Sequence, residues 1–256
     1  MTRLIPVLLY HSVSERAAAR DRRWTVAPRK FASHLTAVSA SGRTPMTITE
    51  IAEGLRGERA LPSRPLGITF DDGFSDTYAA VSELLSRGLR STVYVTTGEI
   101  GARNRLSALQ LTRLGGMASV ELGAHGVHHM RLDQLDDPEL AAEVRDSKAQ
   151  LEHIVGASVH SFAYPHGAYD RAVREAVVVA GYRSAAAVKN ALAHDHDDPF
   201  AIARWTVTAG TSSGRISEIL DGERVPSAWP RERLRTRAYR AARRGRRGLA
   251  RLGEPR

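Results

Sequence analysis

Two short stretches of this 256-residue chain carry side chains whose types and spacing could do chemistry. In Leu66-Gly67-Ile68-Thr69-Phe70-Asp71-Asp72-Gly73 an apolar run stops at two adjacent carboxylates and turns on a glycine. In Ala124-His125-Gly126-Val127-His128-His129 the imidazoles of His125 and His129 can face one point if the segment coils through about one helical turn. Two His and one carboxylate, with a position left open for water, suit Zn²⁺ and related divalent metals. Neighbouring side chains at a strand end diverge, so one Asp can ligate while the other stays free as a base. An ion so held brings the pKa of its water to about 7, and a positioned base adds ~10²–10⁴ in rate. Each stretch also has a plainer reading. Asp-Asp-Gly is good turn chemistry, and a His cluster in a polar loop can simply be solvated. His128 has no partner at a useful spacing and reads as a bystander.

The elements that must position these residues alternate strand and helix. Strands are expected at Ile5–His11, Leu66–Phe70, Ser91–Thr96, Ser119–Gly123, Val159–Tyr164, Tyr182–Val188 and Ala203–Val207. Helices are expected from Pro28 to Gly42, over Thr47–Leu55 with Thr47 or Thr49 as cap, and over Ser75–Arg87, Ser107–Leu114, Pro138–Val155, Arg171–Ala180 and Ser213–Leu220. In Pro138–Val155 the residues Leu140, Val144, Leu151 and Ile154 face inward and the charges outward. Val13–Arg23 and Asn190–Pro199 read as loops. So many alternations argue for an α/β protein with a parallel sheet, open or closed into a barrel. Both chemistry-bearing stretches directly follow a strand, where such proteins keep their sites.

Bulk properties fit one large domain. With no cysteine, disulfides and thiolate ligands are excluded. No apolar run approaches the length needed to span a bilayer. The start, Met1 to His11, lacks a small-residue cleavage site and reads as a first core strand, which makes the cytoplasm the expected compartment. The net charge of +9 is concentrated in one place. Residues 223–256 hold twelve Arg against three Glu, leaving residues 1–222 neutral. The chain therefore divides into a domain, 1–222, and an Arg-rich tail, 223–256. Between its charges the tail carries Leu234, Ala238, Tyr239, Leu249 and Leu252. It could form a basic amphipathic helix on an anionic membrane, gaining up to ~1 kcal/mol per Arg. Alternatively it binds a polyanion without sequence preference, or stays solvated. No motif points to specific nucleic-acid recognition.

A third stretch, Phe162-Ala163-Tyr164-Pro165-His166-Gly167, completes an ordered set. Together with Thr69-Phe70-Asp71-Asp72-Gly73 and His125 to His129, it resembles the polysaccharide deacetylases (carbohydrate esterase family 4, the NodB-homology domain). Pro6 to Val13, Glu121 to His125 and Ala180 to Ala185 resemble the branch acting on N-acetylglucosamine polymers of biofilm type. The resemblance covers roughly residues 4–210. It implies a distorted (β/α) barrel, with Asp71 as catalytic base and Asp72, His125 and His129 holding one divalent ion. Zn²⁺ comes first among the candidates, with Co²⁺, Ni²⁺ and Fe²⁺ compatible. Activated water would attack the acetamide carbon of an N-acetylated carbohydrate. A backbone N–H at His166 would complete the oxyanion hole, with Tyr164 and Pro165 beside it as substrate-binding residues.

Three departures from the family pattern matter. His166 stands where Tyr or Phe is commoner. Ala163 stands where many members have Arg, so Arg204 becomes the candidate to orient Asp71; it reads equally as a surface Arg beside a strand. No Leu-x-Leu-His motif follows, and His11, at the end of the first strand, takes the expected role of general acid. His194 and His196 are the fallback acids. The implied reaction is metal-dependent removal of N-acetyl groups from an amino-sugar glycan. The alternatives are hydrolysis of a non-sugar amide on the same scaffold, or a non-catalytic glycan-binding relative.

Overall fold

The computed structural model describes residues 2–228, so the Arg-rich segment beyond, with its expected membrane or polyanion contact, lies outside the described residues. Eight parallel strands form the main sheet: β1 (Val7–Tyr10), β2 (Thr44–Met46), β3 (Pro65–Phe70), β4 (Ser91–Val95), β5 (Val120–Ala124), β6 (Ser161–Ala163), β7 (Ser184–Val188) and β8 (Ile202–Thr206). Their order is β2-β3-β4-β5-β6-β7-β8-β1, and β1 pairs back onto β3, closing a seven-stranded barrel. The β3 edge is shared. Pro65–Gly67 face β2, while Gly67–Phe70 face β1. The ring is distorted at β5 and β6, which meet only at Ala124 and Phe162. Seven helices surround it: α1 (Pro28–Ala40), α2 (Ile48–Leu55), α3 (Thr77–Ser86), α4 (Ala108–Gly115), α5 (Asp137–Val155), α6 (Arg171–Val179) and α7 (Ser213–Asp221). None of the described helices is long and apolar enough to cross a membrane.

The period-two alternation of each strand sorts its side chains between two cores. Leu66, Ile68 and Phe70 pack outward with Leu8, Tyr10, Phe31 and Leu35, under the helices. Gly67, Thr69 and Asp71 therefore face the barrel interior, alongside Val7 and Tyr94 from other strands. That interior is partly polar, and its polar groups find one another. Tyr94 and Ser161 hydroxyls share a hydrogen bond of 2.7 Å, and those of Thr49 and Ser184 one of 3.2 Å. Such pairing is what makes buried hydroxyls tolerable.

Helix α2 stoppers the end where the strands begin. Its Ile48, Ile51 and Ala52 belong to the inner cluster, and a Cβ on Gly67 would come within 3.2 Å of Ile51 Cδ1. The helix starts on a capping box, with Thr47 accepting from the Glu50 N–H and Glu50 accepting from that of Thr47. Glu121, inward on β5, accepts from the N–H groups of Ile48 at 3.0 Å and Thr49 at 3.2 Å and from Thr92 Oγ1 at 2.8 Å.

Three expectations change locally. The strand expected over Ile5–His11 is broken at Pro6, which has no N–H to donate. Leu4–Ile5 instead pairs antiparallel with Ala193–His194, inside the expected 190–199 loop. Strand β2 was not foreseen: three residues around Pro45 give no readable alternation, and proline suits such an edge. In α5, Glu143 is not outward but buried.

Candidate active site

Strand parity decides which side chains reach the mouth. His11, Asp71 and His125 occupy inward positions just beyond the carboxyl ends of β1, β3 and β5, and Arg204 points inward from the middle of β8. The turn after β3 is tied to its neighbour, with the Asp71 N–H donating to Tyr10 O at 2.9 Å. After β5, the His125 N–H donates to Val95 O at 2.9 Å.

Asp71 is 2% exposed and meets Arg204, which is fully buried, in a two-point contact. Arg204 Nη1 donates to Asp71 Oδ1 at 2.6 Å and Nη2 to Oδ2 at 2.9 Å, while Thr69 Oγ1 takes a third bond from Nη1 at 3.1 Å. Such planar, bidentate pairing fixes a carboxylate in orientation as well as charge. Burial works to raise the Asp71 pKa, and the neighbouring charges, Arg204 foremost, overcome it and hold the carboxyl below its ordinary value. Arg204 is thus the partner of Asp71 and not a surface residue.

Asp72 is turned away from Asp71 by a left-handed backbone, φ 70°. Its Oδ1 lies 3.4 Å from His125 Nε2 and 3.2 Å from His129 Nε2. That oxygen is buried yet forms no hydrogen bond of acceptable geometry. One ligand atom from each of the three residues lies within 4.8 Å of the other two. An orphaned buried oxygen faced by two imidazole nitrogens fits a cation among the three. The outer nitrogen of His125 is engaged: Nδ1 bonds Ala163 O at 2.8 Å, which leaves Nε2 free to ligate.

His11 has its Nδ1 buried and without a hydrogen-bond partner, and its ring packs on Trp24 with centroids 5.4 Å apart. Burial lowers its pKa, opposed by the carboxylate charges of Asp71 and Asp72.

His166 takes a left-handed conformation, φ 58°, in the short turn Pro165–Gly167. As the second residue of that turn its N–H has no acceptor within it. The imidazole lies on the rim: Nε2 bonds His129 O at 3.1 Å, and burial with the nearby charges of His129 and Arg131 pushes its pKa down to about 4. Pro165 is buried and packs near Gly126. The Tyr164 side chain does not join the site, since parity turns it outward. It is fully buried, stacks on Tyr169 at 4.4 Å and donates to Phe200 O at 2.8 Å.

The fallback acids also fall away. His194 is paired opposite Leu4, ahead of β1 and so at the far end of the barrel, and the side chain of His196 is 76% exposed two residues on. His128 is no bystander in its contacts, because its Nδ1 lies 2.5 Å from Glu143 Oε1. Sequence reasoning missed four residues here: Glu143, Trp24, Thr69 and Arg105. Arg105 packs over the Phe74 ring at 4.2 Å and donates to Asp72 O at 3.1 Å. Only Thr69 carried a readable signal, since it shares the inward parity of Asp71.

The polysaccharide deacetylase family model matches residues 58–185, which spans β3 and the aspartate turn, the histidine loop and the third motif. A Bacillus subtilis (strain 168) protein named as a polysaccharide deacetylase, YxkH, is 23% identical over 218 residues, or 85% of this chain and 76% of that protein. Among solved structures, the Streptococcus pyogenes deacetylase PplD in complex with acetate superposes with a TM-score of 0.78 at 20% identity, covering 86% of this chain and 99% of that one. IcaB from Ammonifex degensii gives a TM-score of 0.73 at 22% identity, covering 85% and 97%. These likenesses establish the (β/α) barrel, and with half of the chain matched by the family model, the chain belongs to the polysaccharide deacetylase family, whose reaction is carbohydrate deacetylation.

Proposed function

We propose that the chain is a metal-dependent hydrolase that removes N-acetyl groups from an amino-sugar glycan, using Asp71 as base and His11 as acid. The observation that carries this reading is the buried Asp71–Arg204 pair set directly against the converging Asp72, His125 and His129. The donor set of two imidazoles and one carboxylate suits Zn²⁺ first, and Co²⁺, Ni²⁺ or Fe²⁺ as well. An ion held by Asp72, His125 and His129 would lower the pKa of water to about 7 and polarise the acetyl oxygen.

The protein's own groups do the rest. Arg204 occupies one lone pair on each Asp71 oxygen and leaves the others free. Asp71 Oδ2, 3.8 Å from His125 Nε2, faces the site and takes the proton from water as its oxygen adds to the acetamide carbon. The N–H of His166 donates to the oxyanion, and being a backbone group it is indifferent to the residue's side chain. His11 donates a proton to the departing nitrogen, so acetate and a free amine are the products. Flanking sequence of the N-acetylglucosamine type, and the acetate-bound deacetylase sharing this fold, support an N-acetyl substrate.

The test is acetate release from N-acetylglucosamine oligomers and small glycosides, with metal stripped and then restored. Release that requires metal, and that disappears in Asp71→Asn while the ion is still bound, supports the mechanism. Stoichiometric metal binding at Asp72, His125 and His129 without turnover of any acetylated sugar overturns the substrate assignment.

A further inference from the structure

The mechanism leaves one buried carboxylate unused. Glu143 projects from α5 toward the barrel and is 6% exposed. Its Oε2 accepts from the backbone N–H groups of Val127 at 2.9 Å and His128 at 3.0 Å, and Oε1 lies 2.5 Å from His128 Nδ1. All three contacts fall on two residues between the imidazoles of His125 and His129. The opposite edge of the same loop is held as well. The Thr97 N–H donates to Gly126 O at 3.1 Å, and that of Gly98 to Val127 O at 2.9 Å.

The fit is tight on both sides. A Cβ on Gly126 would stand 2.9 Å from Glu143 Oε2, and one on Gly98 would stand 2.6 Å from Val127 O. The loop it grips is also conformationally costly. Gly126 has φ 73°, and His129, with a full side chain, has φ 55°. A non-glycine residue in that region is strained and persists only where its surroundings hold it.

We propose that Glu143 is a positioning residue for the metal centre: it clamps the backbone of Val127 and His128 so that the Nε2 atoms of His125 and His129 converge on Asp72. This rests on the metal-site reading above. Glu143 makes no contact with the reacting atoms. Its effect is to preorganise two ligands on a loop that would otherwise relax out of the left-handed turn at His129. His128, whose side chain is 71% exposed, covers the carboxylate from the solvent side and contributes less.

The experiment measures Zn²⁺ affinity of the full chain by competition with a chromophoric chelator, beside thermal melts of the zinc-free proteins. Glu143→Leu removes both acceptor oxygens, so the N–H groups of Val127 and His128 lose their shared partner. Zn²⁺ affinity is expected to fall by about 10- to 100-fold, the range for losing a group that orients metal ligands. His128→Ala, which leaves both backbone bonds in place, is expected to change it by less than about 10-fold. A merely structural Glu143 would lower the melting temperature and leave the affinity of the folded protein intact. Wild-type affinity in folded Glu143→Leu therefore overturns the proposal. Should that variant not fold, Glu143→Asp, which keeps the charge but falls one methylene short, decides in the same way: reduced affinity supports the clamp and unchanged affinity sinks it. A wild-type protein that binds no Zn²⁺ removes the metal reading and the clamp together, whereas tight binding in wild type and variants alike removes the clamp alone.

Discussion

Two carboxylates at opposite ends of the barrel show how differently one scaffold treats the same functional group. Glu121, at the stoppered end, has an oxygen that accepts three hydrogen bonds, two from the first turn of α2 and one from Thr92. Asp72, at the open end, has a buried oxygen that accepts none and faces two imidazole nitrogens. The first is a helix-anchoring acid whose demands are met within the chain. The second, with its two imidazole neighbours, fits a cation. Since most buried polar groups find a protein partner, an unmet oxygen set against two imidazole nitrogens is the arrangement a cation would complete.

The comparison breaks most severely at the open end. Chelation of the ion, or His125→Ala, should reduce acetate release to background, with Zn²⁺ restoring activity to the chelated wild type only. Retained activity in the ion-free protein would collapse the distinction. Next in size, Asp71→Asn is expected to lower kcat by ~10²–10⁴ with Zn²⁺ binding unchanged, read by turnover and metal analysis on the same sample. Arg204→Met comes third. It strands a buried carboxylate, for which about 3–5 kcal/mol of lost stability is the usual scale, read by denaturant unfolding.

The smallest effect sharpens the contrast by its sign. Asp71 has a folded pKa below its ordinary 3.8, so its ionised form stabilises the fold; the benefit is whole above that value and lost as pH falls through the folded pKa. The stability of wild type relative to Asp71→Asn should therefore be flat near neutrality and decline in acid. Burial, only partly offset by its hydrogen bonds, raises the Glu121 pKa above 4.5, so its native state holds the proton longer. Wild type should lose stability relative to Glu121→Gln as pH rises above 4.5, while kcat of the two stays alike. Matching pH trends for the two pairs, measured by unfolding across pH 3–7, would refute the assignment of opposite roles.

The parts of the site legible in the sequence were those that follow from strand parity and local order. An apolar run ending in Asp71-Asp72, and another ending in His125, place their polar residues at one mouth because every parallel strand delivers its carboxyl end there. Arg204 could be named by the same logic, from its place on a late strand and the missing Arg at Ala163. Tyr164 was misplaced through neglect of parity, since its neighbour Ala163 faces in. Glu143 was invisible because counting the charges of α5 as outward assumes that every charge prefers water, and a carboxylate with peptide N–H groups to bind does not. Contacts such as His11 on Trp24 depend on how the segment from Val13 to Val26 folds back, which no periodicity encodes. The split at Pro6 and the short strand around Pro45 were set by proline's missing N–H and by pairing partners distant in sequence.

The stopper formed by α2 has a kinetic consequence. A barrel shut at one end has a single doorway, so substrate, water, amine and acetate share one route. On the proposed mechanism acetate would form against the buried Asp71, with the sugar lying between it and solvent. The amino sugar must then depart first and acetate last. In steady state, acetate should act as a competitive inhibitor of the glycan and the deacetylated sugar as a noncompetitive one, a signature of ordered exit from a blind-ended chamber.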